Sequence, residues 1–355
     1  MMLKRLAKSL LFLLFIFAGS LSYAQKIVPI DGKLPEHIFK SEEVVWLEDP
    51  NGNLTFDQIS STAYQDKFIT NINYYPKNYN RSSAYWYRVK VNFPKDLDHA
   101  AVIEFFDQIT DDIEAYLPDE KGNYIHSKAG ADLNFKDRLF QHKNFEFLVN
   151  STQKGEHTYY FKVKSKDQVN VIIVFRTVER FIQYGLTEYF TFGFFYGMIV
   201  IFSFHNLLMF IAVKRRQYLY YILYILSVGI YEMSTDGIAF QYLWPNHPVW
   251  NEYAYGVALY FLSTFGLIFT KELLHVKIKA PKINQLINVV LVLRLVFFLA
   301  CLFYNNDWFK YKFLEFIPLS ICFFTGSISG GARNTDLPAF LYWAIFSFSV
   351  GSSSR

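Results

Sequence analysis

The chain has 355 residues, 52% of them hydrophobic and 20% aromatic, with a formal charge of +4. One soluble domain is rarely so rich in Phe and Tyr, the length suits two or three domains, and no compact basic patch suggests nucleic-acid binding. Cys301 and Cys322 both lie in apolar runs away from the eight scattered histidines, and there is no HExxH, Walker A or GxSxG pattern, so no metal, cofactor or enzymatic centre is expected.

Residues 1–24 read as a signal peptide. Lys4, Arg5 and Lys8 precede the apolar run "LLFLLFIFAG", and "SYA" supplies small residues for a cut between Ala24 and Gln25. Residues 25–180 read as a cysteine-free, all-β domain. Runs rich in Val, Ile, Phe, Tyr and Trp occur at 43–47, 84–93, 100–106, 110–117, 157–165 and 169–176, separated by turn signals such as "DPNGN" and "PDEKGN". In "AYWYRVKV" the pattern alternates, which puts Tyr85, Tyr87, Val89 and Val91 on a core face and Trp86, Arg88 and Lys90 on the other. Such alternation suits an antiparallel sandwich.

"RTVERFIQYGLTE" reads as an amphipathic bridge, with 181–188 as a linker helix into the first span. Tyr189–Val213 is 25 residues without a formal charge, and at about 1.5 Å per residue such a helix crosses a bilayer core of ~30 Å. Further spans are expected at 217–236, 251–270, 284–304, 313–329 and 337–351. With the β domain exported, the loops at 214–216 and 271–283 and Arg333 place eight basic residues inside. Only Lys310 and Lys312 fall outside, and the loop 237–250 has no Lys or Arg. The positive-inside rule predicts that asymmetry. Six spans after an exported N-terminus leave the C-terminus outside, so the bundle at 189–351 is expected to be cut short within or just after its sixth span.

Some polar and small residues stand out. Gly193 and Gly197 form a small-xxx-small pair, expected to pack against another helix of the bundle, with a homodimer interface as the alternative. Asn206 lies across the helix from Gly197 and should bond to a neighbouring helix, because an unsatisfied amide in hydrocarbon costs several kcal/mol. His205 is either structural or a proton or ligand group. Arg294, mid-span, has Glu232 as its nearest acidic candidate by depth, or it snorkels to the interface. On the sensor, Trp86 and Arg88 could form a sugar platform with a charged partner. The competing reading is a structural stack tied to Asp107, Asp111 or Asp112.

The stretch 192–245 resembles the first two spans of the bacterial seven-transmembrane receptors with diverse intracellular signalling modules. The matching features are Gly-x-x-Tyr-Gly, the Asn of the first span, the Tyr-x-Tyr-Tyr opening of the second, and Gly237 before "QYLWP". "YWYRVKV", "DDIEAYL", "YYFKVKS" and "VIIVFRT" resemble the type 2 extracellular domain of that family. The resemblance implies a jelly-roll-like sensor, a ligand that is a periplasmic small molecule or a glycan, and seven helices leading to a cytoplasmic output such as a histidine kinase or a cyclase. No output module and no seventh span are recognised in the chain.

The expected protein is thus a receptor in the bacterial inner membrane. A periplasmic all-β jelly-roll-like sandwich leads into an α-helical transmembrane bundle, with the lipid bilayer as a partner. The alternatives are a transporter, which should show repeats and midplane polar groups, and a membrane-anchored carbohydrate-binding protein, for which one span would suffice.

Overall fold

The computed structural model describes residues 25–70, 76–311 and Ser320. The expected signal peptide, Cys322, Arg333 and, apart from Ser320, the spans expected at 313–329 and 337–351 lie outside the described residues. The chain divides into two compact units, the first formed by the described residues of Met1–Lys128 with Phe147–Val178, the second by those of Ala129–Glu146 with Glu179–Arg355.

The first unit is a sandwich. Its elements in chain order are β1 (Val28–Pro29), β2 (Glu36–Ile38), β3 (Val44–Asp49), α1 (Phe56–Ser60), α2 (Thr62–Gln65), β4 (Ile69–Thr70), β5 (Ala84–Phe93), β6 (Ala101–Phe105), β7 (Asp112–Pro118), β8 (Tyr124–Ala129), β9 (Phe145–Leu148), β10 (Gly155–Lys164) and β11 (Ile173–Thr177). One sheet runs β4-β3-β5-β10-β7-β8, with β1 parallel beside β5; the other runs β2-β11-β6-β9. β10 pairs antiparallel with β5 on one side and β7 on the other, so Phe161 opposes Tyr87 and Ala115. The sheets meet through aromatic rings, Phe93 on Phe175 at 6.1 Å and Phe105 edge-on to Phe161 at 5.0 Å. Tyr85, Tyr87, Val89 and Val91 are fully buried, as their alternation requires.

The other face of β5 departs from the simple alternation rule. Trp86 and Arg88 do point away from the inter-sheet core, yet they too are buried. Ile59, Phe56 and Tyr64 from α1 and α2, with Phe68, close over Trp86 and Tyr160. A capping box starts α1: the Thr55 hydroxyl accepts from the Gln58 amide, and the Gln58 side chain accepts from the Thr55 amide. Gly52, with φ of 66°, takes the left-handed position of the turn before it.

The second unit is helical: α3 (Val178–Val213), α4 (Arg216–Thr235), α5 (Ile238–Tyr242), α6 (Pro248–Leu273), α7 (Val276–Lys279) and α8 (Pro281–Phe303). The expected linker at 181–188 and the first span are one uninterrupted 36-residue helix. α3, α6 and α8 are long and apolar enough to cross a membrane. α4 occupies the place of the second expected span and has 20 residues, but its five tyrosines lower its hydropathy. Tyr231 of α4 packs with Ala258, Leu259 and Leu262 of α6. Close approach is permitted by glycines: an added Cβ would lie 3.3 Å from Ile199 at Gly229, 3.3 Å from Tyr224 at Gly266, and 2.6 Å from Phe309 at Gly256.

Candidate functional site

Trp86 is fully buried, with Lys162 Nζ 5.5 Å from its ring centre. The same ammonium donates to the carbonyls of Gly52 (3.0 Å) and Leu54 (3.4 Å). Arg88 is 5% exposed. Its guanidinium lies 4.3 Å over the Phe68 ring; its Nε donates to Gln25 Oε1 at 2.8 Å, and its Nη1 donates to Gln65 Oε1. The pair therefore builds the sandwich, and among the described residues its burial leaves neither the Trp86 ring nor the Arg88 guanidinium open to a sugar. The stack and its anchors also differ from the sequence expectation, because Phe68 replaces Trp86 under the guanidinium and two glutamines replace the aspartates. Those aspartates hold other groups: Asp107 accepts from the Thr110 hydroxyl (2.6 Å), Asp111 accepts from the Lys166 amide (2.6 Å), and Asp112 pairs with Lys128 (2.9 Å).

The intramembrane residues are dispersed. No described atom lies within 4 Å of a Cβ added at Gly193 or Gly197, so the close contacts fall at Gly229, Gly256 and Gly266 instead. Asn206 Nδ2 donates to the Phe202 carbonyl at 2.9 Å, one turn back on its own helix and not to a neighbour. In a low-dielectric surround the i−4 carbonyl is the acceptor always within reach. His205 is exposed on α3. Arg294 donates to the Tyr260 carbonyl (3.1 Å) and to Ser263 Oγ (2.6 Å), with its guanidinium 5.1 Å from the Tyr260 ring. These α6 groups take the role expected of Glu232. Glu232 itself sits near the end of α4, where its backbone carbonyl accepts from the Asp236 amide at 2.9 Å.

A denser polar cluster lies elsewhere in the helical unit. The segment Ala129–Glu146 carries a short 3-10 turn at Phe135–Asp137. His142, 4% exposed, sits between two carboxylates, with Nδ1 3.0 Å from Glu146 and Nε2 3.3 Å from Glu188 near the start of α3. Lys143 pairs with the other Glu188 oxygen at 3.1 Å. Phe140 and the His142 ring each pack on Phe181 of α3 with centroids 5.0 Å apart. A second set of contacts reaches α5: Phe135 stands edge-on to Phe240 at 5.5 Å, its amide donates to the Pro245 carbonyl at 2.9 Å, and Gln241 Nε2 donates to the Gln141 carbonyl at 2.8 Å.

Arg138 holds this segment in shape. Its guanidinium lies between the rings of Phe135 (4.3 Å) and Phe145 (4.4 Å), and Nη1 donates to the carbonyls of His142, Lys143 and Asn144. Burial lowers its pKa to about 10 and the Glu146 charge opposes the change, so it stays charged at neutral pH. Burial also disfavours the His142 imidazolium, but bonds to Glu146 and Glu188 outweigh it and raise the His142 pKa. For Glu188, burial is outweighed by His142 and Lys143, and its pKa falls. The arrangement is a charge-paired clasp, with cations supplied by one segment and Glu188 by the helix.

Residues 41–177 match the family model described as 7TMR-DISM extracellular 2, and residues 188–354 match the model described as 7TM diverse intracellular signalling. The chain belongs to the 7TMR-DISM receptor family. It is a multi-domain membrane protein, an all-β sandwich-like sensor domain followed by a helical transmembrane region, and neither matched domain is catalytic. No match was found among curated proteins. A solved structure, "Structure of TmCBM61 in complex with beta-1,4-galactotriose", is similar at 10% identity and a TM-score of 0.17, covering 41% of this chain and 85% of that one.

In this 7TMR-DISM receptor the residues of the clasp were not evident from sequence. "RTVERFIQYGLTE" reads as an amphipathic bridge, and "QHKNFEF" falls outside the runs read as strands. The available signal was the density of charge beside aromatic residues in both stretches. Spacing alone could not pair His142 with Glu188, 46 residues away.

Proposed function

We propose that this receptor sits in the bacterial inner membrane with its sandwich in the periplasm. There it binds a small molecule or a glycan, and it passes a conformational change along α3 to an intracellular signalling module. One observation carries the reading. The segment Ala129–Glu146 lies within the matched extracellular model, yet it belongs to the same compact unit as the helices and grips Glu188 through His142 and Lys143. A ligand that favours one arrangement of that segment would bias α3, to the extent that its affinity differs between the two states. The loop Lys214–Arg216 is basic and 237–250 has no Lys or Arg, which supports the first of these facing the cytoplasm. Gln25 supports a mature chain starting there, because its side chain bridges Arg88 and the Glu43 carbonyl.

The test is hydrogen exchange on the full chain in lipid nanodiscs, screened against glycans and small periplasmic metabolites. A true ligand is expected to change exchange at 135–146 and 179–190 as well as in the sandwich. A ligand that protects the sandwich while leaving both segments untouched contradicts the relay.

A further inference from the structure

The turn between α6 and α8 is built in an unusual way. His275 adopts a left-handed backbone, φ 51°, a conformation that is strained for a non-glycine residue. The strain turns the chain so that Val276 is fully buried with Leu267 of α6 and Ile287 of α8. The next residue but one faces outward: Ile278 is 83% exposed. Lys277 and Lys279 flank it in the sequence, Lys282 follows four residues on, and all three are exposed. No acidic residue occurs from 273 to 306. Lys271, which could otherwise join them, is tied to Asn288 at 2.6 Å. Both flanking helices are long and apolar enough to cross a membrane, and as spans they put the turn at the membrane surface.

An exposed isoleucine among three exposed lysines is poorly suited to water but well suited to the interface of a bilayer. There an apolar side chain enters the acyl boundary while ammonium groups reach phosphates. We propose that Lys277, Ile278, Lys279 and Lys282 form a binding site for an anionic phospholipid headgroup. The inference rests on α6 and α8 being membrane spans. The buried Val276 holds the turn in register, with lysines on either side of Ile278 in the sequence, and the acyl chain meets Ile278. Each lysine near an anionic surface contributes about 1 kcal/mol, so the three together favour an anionic over a zwitterionic lipid by on the order of 100-fold.

The test uses the detergent-solubilised full chain titrated with phosphatidylglycerol or phosphatidylcholine, with bound lipid read by native mass spectrometry. The variant Lys277→Gln/Lys279→Gln/Lys282→Gln is expected to lose phosphatidylglycerol affinity by on the order of 10- to 100-fold while phosphatidylcholine binding is unchanged. Ile278→Ser should weaken both lipids alike. Because all four side chains are exposed, neither variant should disturb folding. Should the triple variant fail to fold, the wild type at high salt serves instead, since screening should remove the preference for phosphatidylglycerol. Equal phosphatidylglycerol affinity in wild type and triple variant, or a preference insensitive to salt, overturns the proposal. Glycerol phosphate should not displace the lipid at matched concentration; full displacement would assign the site to a soluble phosphate and overturn the lipid assignment. Failure of the chain to enter nanodiscs at all would instead reject the membrane-span reading beneath it.

Discussion

The sandwich and the helical unit satisfy their buried polar groups in different ways. In the sandwich, Arg88 finds partners far along the chain, in Gln25 and Gln65, and Asn78 bridges to the carbonyls of Ser165 and Asp167. In the helices the polar side chains turn back on their own backbone: Asn206 to Phe202, Ser227 to Leu223, Ser234 to Ile230 and Ser263 to Leu259. A strand's backbone is committed to its neighbours, so its side chains look outward for acceptors. A helix in lipid offers a carbonyl one turn back, and side chains of the right length take it. A polar residue in an apolar helix is thus weaker evidence for a helix–helix bond than it first looks. Longer side chains do cross: Arg294 reaches Tyr260 and Ser263 of α6, and Lys271 of α6 reaches Asn288 of α8.

This contrast orders the expected effects of mutation. The largest falls on Arg138, whose loss would strand three carbonyls and two aromatic faces. Arg138→Ala should destabilise the helical unit by about 3 kcal/mol, seen as a lower melting temperature of the full chain in nanodiscs. A shift within error would show that the carbonyls find other donors. Next is Arg88→Ala in the sandwich, expected to cost about 2 kcal/mol because Gln25 and Gln65 lose a charged partner. Gly256→Ala should cost about 1–3 kcal/mol, since its Cβ would meet Phe309, whereas Gly197→Ala should stay within about 0.5 kcal/mol. If the two glycines behave alike, the close contact at Gly256 is not the one that matters. Asn206→Leu should also be mild, below about 1 kcal/mol, because only a local bond is lost.

Titration separates the clasp from the rest. The raised pKa of His142 means its pairing is fully present below the unfolded value of about 6.5 and is lost as pH rises through the higher folded value. The lowered pKa of Glu188 acts at the other end: its contribution is present above about 4.3 and is lost as pH falls through the folded value. Exchange protection of 139–146 should therefore peak in mildly acidic solution, and His142→Gln should flatten the alkaline side of the profile. An unchanged alkaline limb in that variant would assign the pH response to another group.

Much of this architecture was legible in the sequence. Alternation fixed the inner face of β5, and hydropathy with loop charge located four helices where spans were expected. β9 and β8 were missed because "FEFL" and "YIHSKA" are short and mix charge with apolar residues. α1 and α2 were missed because nine residues of helix leave little periodicity to detect. That omission had a consequence, since without the helices Trp86 and Arg88 looked like an open binding face. The clasp was invisible for a different reason: its partners are far apart in sequence, and burial of a charged side chain cannot be read from spacing.

Glu188 ties the segment 129–146 to the start of α3 through His142 and Lys143. Hydrogen exchange of the full chain carrying Glu188→Ala, in nanodiscs and without ligand, tests it most directly. Faster exchange is expected in 139–146 and in the first turns of α3, with β5 and β10 unchanged. Unchanged protection across 139–146 would contradict it.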